Sequence, residues 1–221
     1  MKAILGLFLL LSTVNADTKD LNGFKEIIDA VNSLQTTWKA DPDFPTHYTV
    51  SSIKKFLGVN KAFRVRPQRY NKDISDDPIP EEFDARKQWP ECPTISQISD
   101  QGNCGSSWAV AASDAFSDRL CIASKGKITT PLSSGELMSC CAGCGDGCGG
   151  GVASDAWLYL MRQGIVTGGS YNSSTGCQPY PLPPCEHHTQ GPLPQCSSLP
   201  AYDTPACEDN CTNPTYLPHF Q

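Results

Sequence analysis

Residue types and spacing could carry chemistry in the stretch Gln101-Gly-Asn-Cys-Gly-Ser-Ser-Trp108. Small residues, Gly102 and Gly105 among them, lead into apolar positions at helical spacing: Trp108, Ala112, Ala115, Phe116, Leu120 and Ile122. The pattern predicts a helix opening at Ser106–Ser107. Unpaired backbone N–H groups and the positive end of the helix dipole meet in such a first turn. A thiol placed there would shift toward thiolate, since a free thiol already ionises at about 8.5. Ser107 offers a hydroxyl instead. That group is far more basic, the helix end cannot make it an alkoxide, and it needs a general base before it can attack anything.

The other chemistry-bearing residues are sulfurs. All 12 cysteines lie between Cys92 and Cys211, and the count is even. Met1 to Ala16 reads as a secretory signal peptide: Lys2, an apolar run from Ala3 to Leu11, and Val14-Asn15-Ala16 before Asp17. The alternative is a buried N-terminal helix. No segment is apolar for long enough to span a bilayer. In an exported chain an even cysteine count means disulfides. Zinc competes through the spacings Cys141-x2-Cys144 and Cys144-x3-Cys148. There is no second well-spaced pair with histidine, so no metal and no cofactor is expected.

The elements that must position these groups fall into two units. Residues 17–78 hold 10 Lys+Arg and 9 Asp+Glu, and residues 79–221 hold 6 and 14. The acidic second unit argues against a nucleic-acid partner. The charge contrast suits an intramolecular cover, and equally suits unselected surface drift. In the first unit Leu21, Phe24, Ile27, Ile28, Val31, Leu34 and Trp38 predict one amphipathic helix, and Ile53–Leu57 a short second one stopped by Gly58. Phe63 to Pro80 reads as an extended, cleavable linker. In the second unit Ser133-Ser134-Gly135-Glu136 has capping-box spacing and predicts a helix to Cys140 or Cys141. Val152, Ala153, Ala156, Trp157, Leu160 and Met161 predict another, stopped by Gly164. From Gly168 onward, Gly, Pro, Ser and Cys predict loops held by disulfides.

The Gln101–Trp108 stretch resembles the signature Cys-Gly-[Ser/Ala]-Cys-[Trp/Tyr] of the papain-like cysteine peptidases, with Ser107 where that family has its nucleophile. The resemblance extends from about Phe24 to Pro218 and is to the cathepsin B subfamily. It is carried by Phe83-Asp-Ala-Arg86, by the cysteine-dense Cys140 to Cys148 segment, and by Pro183-Pro-Cys-Glu-His-His188 closed by Cys196. It implies an α+β, papain-like fold with the helical lobe present, disulfide-rich loops and the sheet-rich lobe largely missing. Residues 1–16 would be the signal peptide, 17–78 the propeptide, and 79–221 the N-terminal part of the peptidase domain.

The resemblance also assigns roles. Gln101 and the Ser107 N–H would form the oxyanion hole. Gly150 and Gly151 would pair with substrate backbone, although Val152-Ala153 replace the Tyr-Pro that shapes the family's side-chain pocket. His187 and His188 would hold a substrate's terminal carboxylate, which a protonated imidazole suits at acid pH. A solvated surface pair and a metal site are their alternatives. The implied disulfides are Cys92–Cys121, Cys104–Cys148, Cys140–Cys207, Cys141–Cys144, Cys177–Cys211 and Cys185–Cys196, which leave no free thiol. The Gly-Gly-His and Asn-Ser-Trp segments that supply base and orienter in the family do not occur in this sequence.

The expectation is a cathepsin B-like family member, proteolytic by descent and catalytically inactive in this chain. One alternative is a fragment or splice form of a longer peptidase; another is a secreted, disulfide-rich module that binds peptides or inhibitors. The expected partners are peptide or protein substrates or inhibitors in the cleft and the chain's own propeptide. The expected location is secreted or lysosomal. Asn172-Ser-Ser174 is a glycosylation acceptor sequence; Asn210-Cys-Thr212 also fits, but with a paired Cys211 at its centre.

Overall fold

The computed structural model describes residues 17–34, 37–40, 57–59, 78, 80–187 and 190–216. The expected signal peptide, most of the 63–80 linker, residues 53–56 of the expected second helix, and His188 lie outside them. The chain divides into two compact units, Met1–Ser51 and Ser52–Gln221. By this division residues 57–59 belong to the second unit, where the Gly58 carbonyl accepts from the Gly151 N–H.

The first unit contains helix α1, Asp17–Leu34. The apolar spacing extends to Trp38, but the helix stops before it. Asn32 supplies the reason: its side-chain amide donates to the Ala40 carbonyl at 2.9 Å and accepts from the Ala40 N–H at 2.7 Å. These bonds give the returning chain partners that helix continuation would have provided. Trp38 is left 54 % exposed, outside the helix.

The second unit is a helical lobe stapled by sulfur. A short helix α2, Ala85–Gln88, is capped by Asp84. The central helix α3 runs Ser107–Ala123, α4 runs Ser134–Cys140, and α5 runs Ala153–Arg162. Helix α3 packs on both α4 and α5. Trp108, Ala109, Ala112, Leu137, Met138, Ala156 and Leu160 form the centre of one core. Helix α5 ends where expected, with Gly164 at φ 72°. Its Met161, read from spacing as an apolar-face residue, is 70 % exposed.

Ser133 caps α4 by accepting from the Glu136 N–H at 3.0 Å. The reciprocal arm of a capping box is replaced. The Ser133 N–H donates to the Val166 carbonyl at 2.9 Å, and the Glu136 carboxylate accepts from the Val166 N–H at 2.6 Å. Both groups are spent tying the neighbouring chain to the helix start, where a carboxylate is also favoured by the dipole. Among the described residues there are isolated bridges and no named strand. The six disulfides are the pairs implied by the resemblance, and no cysteine is free.

Candidate active-site cleft

The cleft forms where three segments meet at the start of α3. Ser106 occupies the cap position, but its hydroxyl does not cap the helix. It lies 2.7 Å from the Tyr180 hydroxyl. Tyr180 in turn donates to the Gln101 carbonyl at 2.9 Å. A phenol has one proton, so Ser106 is the donor to Tyr180. Burial pushes the Tyr180 phenol up to about 12, reinforced by the Asp100 charge and opposed by the Ser106 hydrogen bond. One buried side chain thus holds both ends of the loop that precedes Ser107.

Ser107 is the first residue of α3 and is half-buried. Trp108 behind it is 1 % exposed and donates from Nε1 to the Gly147 carbonyl at 3.0 Å. The indole lies flat against Gly151: a Cβ there would come within 2.5 Å of two ring atoms. This is why the cleft floor is glycine at that position. The Cys104–Cys148 bridge and the Gly105 N–H to Cys148 carbonyl bond, 2.9 Å, join the Ser107 loop to the glycine loop.

Gly58 lies on this floor. The Gly151 N–H donates to the Gly58 carbonyl at 2.8 Å, and Val59 forms a parallel bridge with Gly151. A Cβ on Gly58 would strike the Gly105 carbonyl and stand 2.8 Å from the Ser107 hydroxyl. Sequence reading treats Gly58 as a helix stop; the structure places it against Gly105 and Ser107, where only a residue without a side chain fits. Leu57, Asn103, Asp146, Tyr202 and Thr204 line the adjoining groove of about 610 Å³. Gly150 is at φ 108°, and its carbonyl accepts from the Asp146 N–H at 2.8 Å.

His187 is held beside the loop that carries Gln101. Its Nε2 is 3.2 Å from an Asp100 carboxylate oxygen, which also accepts from the Gly102 N–H at 2.7 Å. Asp100, absent from the sequence reading, therefore fastens the histidine segment to the loop carrying Gln101. A local signal exists: Asp two residues before Gly in a small-residue loop favours this side-chain-to-backbone bond. Tyr180 and Gly58 had no such signal, because their partners are distant in sequence. Cys185, His187 and Cys196 bring ligand-type atoms within 4.8 Å of one another. Both sulfurs are joined in a disulfide, so the set does not fit a thiolate metal site. Asn172 sits on an exposed turn in another part of the lobe.

Residues 79–216 match the model of the papain family cysteine protease, and residues 24–62 match that of the peptidase family C1 propeptide. The chain belongs to the papain family. A cathepsin B-like cysteine proteinase 4 of Caenorhabditis elegans is 47 % identical over 197 residues, covering 86 % of this chain and 57 % of the relative. A cathepsin B-like cysteine proteinase of Schistosoma japonicum is 46 % identical over 201 residues, covering 89 % and 58 %. This chain is thus a cathepsin B-like family member that spans little more than half the length of these relatives. Among solved structures, procathepsin B S9 from Trypanosoma congolense superposes with a TM-score of 0.65 at 34 % identity, covering 89 % of this chain and 61 % of that one. The papain-like fold follows, with the described residues of the second unit forming its helical lobe. The propeptide match also gives the Gly58 segment its family context.

A hydroxyl at the start of α3 can receive a hydrogen bond and donate one. It cannot act as a nucleophile until a base takes its proton. His187, the only histidine among the described residues, is engaged with Asp100.

Proposed function

We propose that this chain is a non-catalytic, cathepsin B-like protein that enters the secretory path and binds peptides or protein inhibitors in its cleft. The observation that carries this reading is Ser107 at the first turn of α3, where the sequence resemblance puts the family's sulfur. The helix dipole stabilises an anion that forms readily, as a thiolate does, and cannot supply the far larger shift that a serine hydroxyl needs. Removing the nucleophile of a triad peptidase leaves activity lower by about four to six orders of magnitude.

Residues 1–16 act as a signal peptide in this reading, and residues 17–78 as a propeptide whose Gly58 segment covers Ser107 and Gly151. Gln101 and the Ser107 N–H polarise a ligand carbonyl, Gly150 and Gly151 pair with its backbone, and His187 and His188 face its terminal carboxylate. The mature protein is secreted or lysosomal.

The test is an assay of the exported chain on a dipeptide-releasing substrate at acid pH, beside Ser107→Ala. We expect both to match a buffer blank, and an epoxide probe for peptidase thiols to leave the protein unlabelled. Turnover that disappears in Ser107→Ala overturns the reading.

A second reading makes these residues part of a longer cathepsin B-like peptidase; their 57 % and 58 % coverage of the two relatives favours it. Transcript sequence beyond the Gln221 codon decides it: an open frame reaching a Gly-Gly-His and an Asn-Ser-Trp segment establishes the longer protein.

A further inference from the structure

The two acceptor tripeptides for N-linked sugar, Asn172-Ser173-Ser174 and Asn210-Cys211-Thr212, reach the same face of the lobe. Asn172 and Thr212 both line an open groove of about 630 Å³, together with Tyr171, Pro181, Pro205 and Glu208. The backbone treats the two sites differently. The Ser173 N–H donates to the Ser170 carbonyl at 3.1 Å, which closes a turn with Tyr171 and Asn172 at its corners. Asn172 is exposed and at φ 56°, a left-handed conformation that asparagine tolerates at the third position of such a turn. The base of the turn is fixed by Asn213, 6 % exposed, whose Nδ2 donates to the Ser174 and Gly176 carbonyls at 2.8 Å each. The acceptor asparagine thus projects from a firm base.

Asn210 is exposed too, but its tripeptide is clamped. Cys211 is bonded to Cys177, with Cα atoms 4.6 Å apart, and the Asn210 carbonyl accepts from the buried Gln178 amide at 3.0 Å. A transferase must draw the tripeptide into its own site, which a closed Cys177–Cys211 bridge prevents.

We propose that Asn172, and not Asn210, carries an N-linked oligosaccharide whose first sugars lie over the neighbouring groove. The inference rests on the export reading above. In the transfer, Asn172 Nδ2 forms a bond to the anomeric carbon of an oligosaccharide carried on a polyprenyl pyrophosphate. The bond from that carbon to the pyrophosphate oxygen breaks, its electron pair leaves with the pyrophosphate, and the amide gives up one proton. Nothing is oxidised or reduced. The groove suits the product: the Tyr171 ring, 45 % exposed, offers an apolar face to sugar C–H groups, while exposed Glu208 and Thr212 offer hydrogen-bond partners.

Turn geometry alone accounts for an asparagine at 172 but makes no demand on Ser174, and the test uses that difference. The full chain is expressed in insect cells and the exported material is analysed by peptide mass spectrometry. Before treatment with peptide N-glycosidase, Asn172 is expected to carry sugar in most molecules and Asn210 in few. Ser174→Ala, which keeps Asn172 and its turn, is expected to abolish the modification. Cys177→Ser is expected to raise occupancy at Asn210 several-fold. Amide hydrogen exchange over residues 205–215 is expected to be several-fold slower with the glycan than after its removal. An exported chain with bare Asn172 overturns the inference while leaving the export reading intact. A chain found in the cytosol with residues 1–16 still attached overturns both. Equal exchange in the two forms overturns the placement over the groove.

Discussion

The Tyr180 hydroxyl receives the Ser106 proton at 2.7 Å and gives its own to the Gln101 carbonyl at 2.9 Å, so one phenol ties both ends of the loop ahead of Ser107. Ser106 is fully buried and Tyr180 is 6 % exposed, so neither hydroxyl has water to fall back on. Tyr180→Phe keeps the ring packing and removes the link. We expect a loss of about 1–3 kcal/mol in chemical denaturation, the cost of stranding buried polar partners. A change within 0.3 kcal/mol, on the order of the noise between independent sites, would show that the loop is held elsewhere.

The same phenol sets an alkaline signature. It ionises at about 12 in the folded chain, chiefly because burial disfavours the phenolate, against 10.0 for a free phenol. Between those values the unfolded chain gives up this proton and the folded chain keeps it. The contribution is complete below pH 10 and falls away as pH rises toward 12, by about 2–3 kcal/mol. Subtracting the Tyr180→Phe stability curve from that of the parent protein should isolate this slope; a flat difference above pH 10 contradicts the burial argument.

Gly58 tests the covered cleft. Its missing side chain lets the 57–59 segment lie against Gly105 and Ser107 while its carbonyl takes the Gly151 N–H. Gly58→Ala should push the segment off and break that bond without disturbing the core. Limited proteolysis at Leu57–Val59 should speed up several-fold, with the unfolding midpoint nearly unchanged. Unaltered cleavage would mean the contact is not tight enough to exclude a methyl group.

Ser107→Cys tests the field at the start of α3. The parent chain has no free thiol, so the variant carries a single alkylation site. We expect its iodoacetamide reactivity to rise with pH at a midpoint below about 8.5, since a helix start favours thiolate. A midpoint at or above that value would remove the physical basis for treating this position as tuned for sulfur.

The disulfides should differ in weight. Cys140–Cys207 spans a sequence separation of 67, and Cys141–Cys144 spans 3. Loop-closure entropy assigns the first about 4 kcal/mol and the second about 2 kcal/mol. Replacing each pair with serines should reproduce that order in urea denaturation; the reverse order would show that native-state packing outweighs chain entropy here.

Much of the helical lobe was legible because its determinants are local. The apolar spacing after Trp108 gave α3, Ser133 gave the start of α4, and Gly164 gave the stop after α5. Departures from the local pattern arose where a side chain chose a partner outside its own helix. Asn32 reached Ala40 and left Trp38 outside α1, and Glu136 reached Val166 instead of completing a capping box. Neither exchange leaves a mark in periodicity, because hydrogen-bond partners across a fold have no fixed spacing.

The site divides along the same line. That Ser107 carries oxygen and not sulfur, and sits at a helix start, is written in residue identity and short-range pattern, and its chemistry follows from the basicity of a hydroxyl. What brings Gly58 against Ser107, Tyr180 beneath Gln101, and Asp100 to His187 is the packing of segments far apart in the chain. Those contacts depend on which surfaces exclude water together once the core and its six disulfides are closed, so only the tertiary structure decided them.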